Sequence, residues 1–186
     1  MNVMYIGVDN PLRIAAANVP MNEIVVKLVG DGQVTGEQGN YTAQVKMPGT
    51  VTIEVYRRLK DGDYLMSATP FRVKRIPDPK PGLNGLNIKT GIINVDSLKN
   101  PMKVALILEN FIFDVACEVT SYEITILPKR QDPITYYNNS GKMREDIKAA
   151  IAGLGVGSVI CIDDIKGLCP GDAAPRNVGG IAFKIK

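Results

Sequence analysis

Hydrophobic and polar positions alternate along most of the first 76 residues. Met4 to Val8, Leu12 to Ala16, Ile24 to Val29 and Tyr41 to Val45 read as short strands. In Thr50 to Tyr56, Val51, Ile53 and Val55 face one way while Thr50, Thr52, Glu54 and Tyr56 face the other. Tyr64 to Thr69 and Phe71 to Ile76 complete the set. Turn residues separate these runs: Asp9-Asn10-Pro11, Gly30-Asp31-Gly32, Gly36 to Asn40, Pro48-Gly49 and Lys60 to Asp63. Seven short strands with regular turns predict a β-sandwich of immunoglobulin-like kind over residues 1–76. No tryptophan is present, so the cysteine–tryptophan–cysteine signature of antibody domains is missing.

Prolines at 77, 79 and 81 then interrupt the pattern. Each fixes φ, removes an amide donor and pushes its predecessor toward extended geometry. Residues 77–82 are therefore expected to form a stiff connector between two β modules.

The pattern resumes differently after Leu83. Strands are expected at Gly91 to Asp96, Lys103 to Leu108, Val119 to Leu127, Ser158 to Lys166 and Gly180 to Lys186, with a break at Asn100-Pro101. Pro128 to Gly141 reads as a long polar loop. Met143, Ile147, Ala150 and Ile151 fall on one helical face, so one short helix is predicted near 142–152, stopped by Gly153. The fold class is thus mainly β: two β-sandwich-like domains in tandem, the second over 83–186 with one short α-helix.

Composition narrows the chemistry. The 186 residues are 45% hydrophobic and 22% charged, an ordinary globular balance. The net charge of +3 is too small to indicate a nucleic-acid partner. Histidine is absent, which removes the commonest general base and metal ligand. Cys117 and Cys161 lie in apolar runs and read as buried small hydrophobes. Cys169 sits in a Gly-Leu-Cys-Pro-Gly turn, and a Cys161–Cys169 bridge across the short intervening loop is one alternative. No apolar run is long enough to span a membrane, and the first residues enter a strand-like pattern without a basic leader.

Candidate sites reduce mostly to structural roles. Asp163-Asp164 is the best carboxylate pair, but neighbours in a strand point to opposite faces and share no metal. Asp9-Asn10 and Asp61-Gly62-Asp63 lack the further oxygens of a calcium loop. Gly153, Gly155 and Gly157 follow a helix and precede a strand, the reverse of a phosphate loop. Ser140 and Ser158 have no base partner. The expectation is no enzyme, no catalytic residue, no cofactor and no metal. What remains is binding: Arg130, Tyr136, Tyr137, Asn138 and Asn139 offer rigid aromatic area and adaptable hydrogen bonds, as partner-binding surfaces do.

An ordered set of motifs adds a family. Tyr5-Ile6-Gly7-Val8-Asp9-Asn10-Pro11, Gly39-Asn40-Tyr41, Phe71-Arg72-Val73-Lys74-Arg75-Ile76-Pro77-Asp78-Pro79, Val119-Thr120-Ser121-Tyr122 and Val159 to Lys166 occur in that order. With them the chain resembles the C-terminal periplasmic region of the GldM/PorM family, the inner-membrane-anchored core component of gliding motility and type IX secretion. The resemblance implies a homodimer whose members carry an N-terminal membrane helix, a helical segment and then β domains. It implies partnership with a GldL/PorL-like motor protein and contact with GldK/GldN (PorK/PorN)-like proteins at the outer membrane. The chain itself spans the last two β domains, so it is expected to be the distal, periplasmic part of a shaft. A free-standing secreted or periplasmic ligand- or peptide-binding protein of the same fold is the alternative.

Overall fold

The computed structural model describes residues 2–83, 90–94, 96–97 and 103–186. The chain divides into two compact units, Met1–Ile76 and Pro77–Lys186. It is mainly β, with one α-helix among the described residues. The break expected at Asn100-Pro101 and the Val95 end of the 91–96 strand lie outside the described residues.

The first unit holds β1 (Val3–Tyr5), β2 (Asn10–Arg13), β3 (Ile24–Val29), β4 (Gly32–Glu37), β5 (Asn40–Val45), β6 (Gly49–Leu59) and β7 (Gly62–Lys74). They make a four-stranded sheet, ordered β1-β7-β6-β3, and a three-stranded sheet, ordered β2-β5-β4. Met4, Ile6, Ala43, Val45, Val51, Ile53 and Val73 fill the core of the unit. Each valine, isoleucine or methionine among them contributes roughly 1.5–3 kcal/mol by leaving water. Asn10 is the polar exception at 4% exposure. Its Oδ1 accepts from Tyr5 N–H at 2.8 Å, and its Nδ2 donates to the carbonyls of Tyr5, Val8 and Ala43. That side chain closes the Asp9-Asn10-Pro11 turn and locks it onto β5.

Two strands differ from expectation. β4 was not anticipated, because Gly32, Thr35 and Gly36 dilute its apolar pattern. The runs expected at 64–69 and 71–76 are one continuous strand through Pro70. Arg72 N–H donates to Asn2 O on the β1 side. The Pro70 nitrogen points to that same side, beyond the Arg72–Lys74 stretch where β1 pairs, so the ladder to β6 loses no donor.

The second unit holds β8 (Lys80–Leu83), β9 (Thr90–Ile93), β10 (Val104–Ile107), β11 (Glu118–Leu127), β12 (Ile134–Asn138), α1 (Glu145–Ala152), β13 (Val159–Leu168), β14 (Arg176–Asn177) and β15 (Ile181–Ile185). A six-stranded sheet is ordered β12-β11-β13-β15-β9, with β14 beside β13, and β8 and β10 form a ribbon. Tyr122, Ile124 and Ile126 on β11, Ile160 and Ile162 on β13, Phe183 on β15 and Ile147 and Ile151 on α1 share one core with Leu83 and Val104 of the ribbon. Met143 joins them from just before the helix, and Gly153 is its C-cap.

Residues 80–82 of the proline stretch expected as a connector run inside β8, antiparallel to β10, with Pro79, Pro81 and Gly82 buried. The reason is again parity. Val104 N–H donates to Gly141 O at 2.9 Å, so Val104 and Leu106 turn their amides away from β8. Pro81 stands opposite Leu106, in a pair that needs no amide from either residue.

Candidate interaction surface

The residues expected on one polar loop are divided by the structure. Residues 134–138 are not loop but β12, paired with β11 from Ile126↔Ile134 to Tyr122↔Asn138. β12 is the outermost strand of its sheet. Arg130 sits in the hairpin turn before it, exposed and at φ 62°. Tyr137 is 58% exposed, whereas Tyr136 points inward and packs on the core. Asn139 is exposed just beyond the strand.

Asn138 is a structural residue at 1% exposure. Its Nδ2 donates to Ser140 O at 2.6 Å and Lys142 O at 3.0 Å, holding the turn that leads to α1. Its Oδ1 and the Tyr122 hydroxyl opposite are both buried without a hydrogen-bond partner in the structure. Burial pushes the Tyr122 phenol above its usual value, and the neighbouring Asn138 amide opposes the shift.

Sequence reasoning missed Arg144, which lies just before α1 and touches this strand. Its Nη1 donates to Tyr137 O at 3.0 Å and its Nε to Asp146 Oδ1 at 3.0 Å. The hydrogen bond to Asp146 raises the guanidinium and lowers the Asp146 carboxyl. Glu145 is lowered in turn by its hydrogen bond from Lys148. The only sequence signal was the R-E-D start of the helix, where acidic residues favour the positive end of the dipole.

The carboxylate pair and the cysteines need correction. Asp163 and Asp164 are both exposed, although neighbours in a regular strand would alternate. Asp164 adopts φ 47°, and the pairing with β11 shifts register here, with Glu123 opposite Asp163 and Ser121 opposite Lys166. This bulge moves the buried positions from Ile160 and Ile162 to Ile165 and Gly167. Asn177 Nδ2 donates to Asp164 Oδ1 at 2.7 Å, and Lys166 pairs with the same carboxylate. Among the described residues no group of three or more His, Cys, Asp or Glu could hold a metal ion.

The disulfide joins Cys117 to Cys169, not Cys161 to Cys169. Strand geometry forbids the shorter bridge: residues 161–168 run extended in β13 and carry their ends apart. Cys161 is a free, half-buried thiol, raised by burial and by Asp163. Beyond the bridge, the Asp172 carboxylate accepts from Cys169 N–H and Arg176 Nε, both at 2.9 Å, and Arg176 Nη1 reaches Asp78 at 2.6 Å.

Each unit also carries an open cleft. That of the first has a volume of 440 Å³, with Leu12, Ile14, Val55, Met66 and Phe71 among its walls and no carboxylate. That of the second measures 460 Å³ and lies between β10, the start of β11 and Ser140 to Lys142.

Two tandem, mainly β units with these features define a structural module. Known families give it a place. The profile of the GldM third domain matches residues 1–74, and that of the GldM C-terminal domain matches residues 77–186. The chain therefore belongs to the GldM family and is a structural component of the GldM type. No curated protein matches it significantly. Among solved structures it is similar to a Bacteroides ovatus protein of a mixed-linkage glucan utilization locus, SGBP-B, in complex with a mixed-linkage heptasaccharide. The identity is 10% and the TM-score 0.28, over 86% of this chain and 47% of that one. The chain thus spans about half of that protein's length, and a similarity at this level carries no functional argument.

Proposed function

We propose that this chain is the distal, periplasmic part of a dimeric GldM/PorM-type shaft, with a mechanical and non-catalytic role. It couples an inner-membrane motor to outer-membrane components of type IX secretion or gliding. One observation carries the reading: two consecutive domains of the family meet between residues 74 and 77, where the chain divides into its two compact units. The Cys117–Cys169 bridge supports an oxidising compartment such as the periplasm. The exposed tyrosine and arginine at the β11–β12 hairpin supply contact area of the kind interfaces favour.

Immobilised chain should bind a purified GldK/GldN (PorK/PorN)-like complex and not a GldL/PorL-like motor protein, whose contact belongs to segments preceding this one in the family. Arg130→Ala and Tyr137→Ala should weaken the first interaction. Absence of binding to the outer-membrane complex at the highest attainable concentration would overturn the reading.

A further inference from the structure

The first unit leaves one strand edge open beside its cleft. Ile14 N–H donates to Gly39 O at 3.0 Å, which carries the β2–β5 ladder one pair beyond Arg13↔Asn40. Even positions of β2 therefore turn their backbone groups toward β5, with Leu12 opposite Tyr41 and Asn10 opposite Ala43. Odd positions turn theirs outward. Pro11 has no amide to leave unpaired there. Exposure keeps alternating from Leu12 through Ala16, so the extended run continues past the last ladder bond. Arg13 and Ala15 thus each present an N–H and a C=O on the outer edge, and none of these four groups has a partner among the described residues. β2 ends its three-stranded sheet.

The cleft runs along this edge. Leu12, Ile14 and Ala16 turn inward, half-buried, and form its wall on the β2 side. Ile53 and Val55 of β6 and Met66, Thr69 and Phe71 of β7 line the rest. Its 440 Å³ falls within the range of about 300–1,000 Å³ that ligand clefts occupy. The β7 border discourages strand addition, because Pro70 offers no amide there and Met66 forms a bulge. The β2 border carries neither device after Pro11. Arg13 is exposed beside the cleft, no carboxylate lines the cleft, and none pairs with Arg13 among the described residues.

We propose that the first unit binds an extended peptide segment antiparallel to the outer edge of β2, with alternate apolar side chains in the cleft and a carboxylate beside Arg13. Arg13 and Ala15 then each exchange two backbone hydrogen bonds with the peptide residue opposite, which uses all four outward groups. Residues opposite each other in a ladder share a face, so those opposite Leu12, Ile14 and Ala16 turn into the cleft. The residue opposite Arg13 turns to solvent, where an aspartate or glutamate meets the guanidinium across the strands. Pro11 ends the pairing beyond Leu12. The backbone bonds hold the segment, the cleft selects its apolar residues, and Arg13 selects its charge. The inference stands on the first unit alone and is independent of the shaft reading.

The probe is an acetylated, amidated heptapeptide of alternating serine and valine, beginning with serine and carrying glutamate in place of its third serine. It is titrated into the whole, nitrogen-15-labelled 186-residue chain. The amide signals of Arg13 and Ala15 should shift, and their hydrogen exchange should slow. Arg13→Glu, at an exposed position, should weaken binding about threefold to tenfold, and a peptide with lysine in place of the glutamate should recover it. Ala16→Phe fills the cleft from its wall and should weaken binding about tenfold or more, with far-ultraviolet dichroism unchanged. No response at millimolar peptide, or binding undiminished in both folded variants, overturns the proposal. Saturation of the cleft by dodecanoate with no response to the peptide would mark an acyl site instead and overturn it equally.

Discussion

Replacing Cys117 and Cys169 together by alanine should separate the stability of the second unit from that of the first. The bridge links residues 52 apart in sequence. In the chain-entropy account, closing a loop of that length restricts the unfolded state by about 14 cal/mol/K, or about 4 kcal/mol at 25 °C. For a unit running from Pro77 to Lys186, that corresponds to a fall in Tm of about 18 °C. Both half-cystines are buried, at 8% and 3% exposure, and alanine keeps the sites apolar. The assay is differential scanning calorimetry of the oxidised protein, the reduced protein and the double variant. The reduced protein and the double variant should agree, and the transition of the first unit should stay in place. Cys161→Ala, which breaks no bridge, should move neither transition by more than about 1 kcal/mol. A fall below about 4 °C, or an equal fall in both units, would refute the argument, because the loop closed by the bridge would then not be what restrains this unit.

Asn138→Ala strips the donor from two carbonyls and should cost about 2–3 kcal/mol in denaturant unfolding, whereas Tyr122→Phe removes a hydroxyl without a partner and should change stability by about 1 kcal/mol or less. Tyr122 has a folded pKa raised above its ordinary 10.0, so the unfolded chain loses that proton first. The stability it contributes is complete below pH 10 and declines as pH rises further. Absorbance of tyrosinate should show one residue ionising only when the second unit unfolds. Gly36→Ala meets Asn40 O at 2.2 Å from a backbone at φ +125°, and should destabilise the first unit alone by about 3 kcal/mol in the same calorimetric assay.

The elements legible in the sequence are those whose side chains carry the whole instruction. Ile24–Val29 is strand from end to end, because β-branched residues and a glycine turn mark both its extent and its stop. The helix is legible because Ile147 and Ile151 repeat at helical spacing and Gly153 ends it. β4 and β8 are not, because what makes them strands lies elsewhere in the chain. β4 exists because β5 pairs with Gly32 through Glu37. β8 exists because Leu106 stands opposite Pro81 in the kind of pair where an amide is not needed. A proline is read locally as a breaker, but its effect depends on which edge its nitrogen faces.

The surface follows the same logic one level up. Tyr136, Tyr137 and Asn138 are adjacent in sequence, and composition alone assigns them one role. Strand alternation separates them: Tyr136 and Asn138 face inward, where one packs and the other caps, and only Tyr137 is left to meet a partner. Composition also cannot show that Arg144 reaches back to the Tyr137 carbonyl, since that contact requires the turn which Asn138 builds. The inward asparagine therefore determines the outward chemistry. Loss of its two bonds should free Arg144 from the strand and return the Tyr137 carbonyl to solvent. Asn138→Ala should consequently weaken binding of the partner that Tyr137 meets even at temperatures where the second unit remains folded, while Tyr136→Phe, which keeps the packing ring, should leave it unchanged. Equal binding by folded Asn138→Ala and the parent chain would show that this surface does not depend on the Arg144 contact.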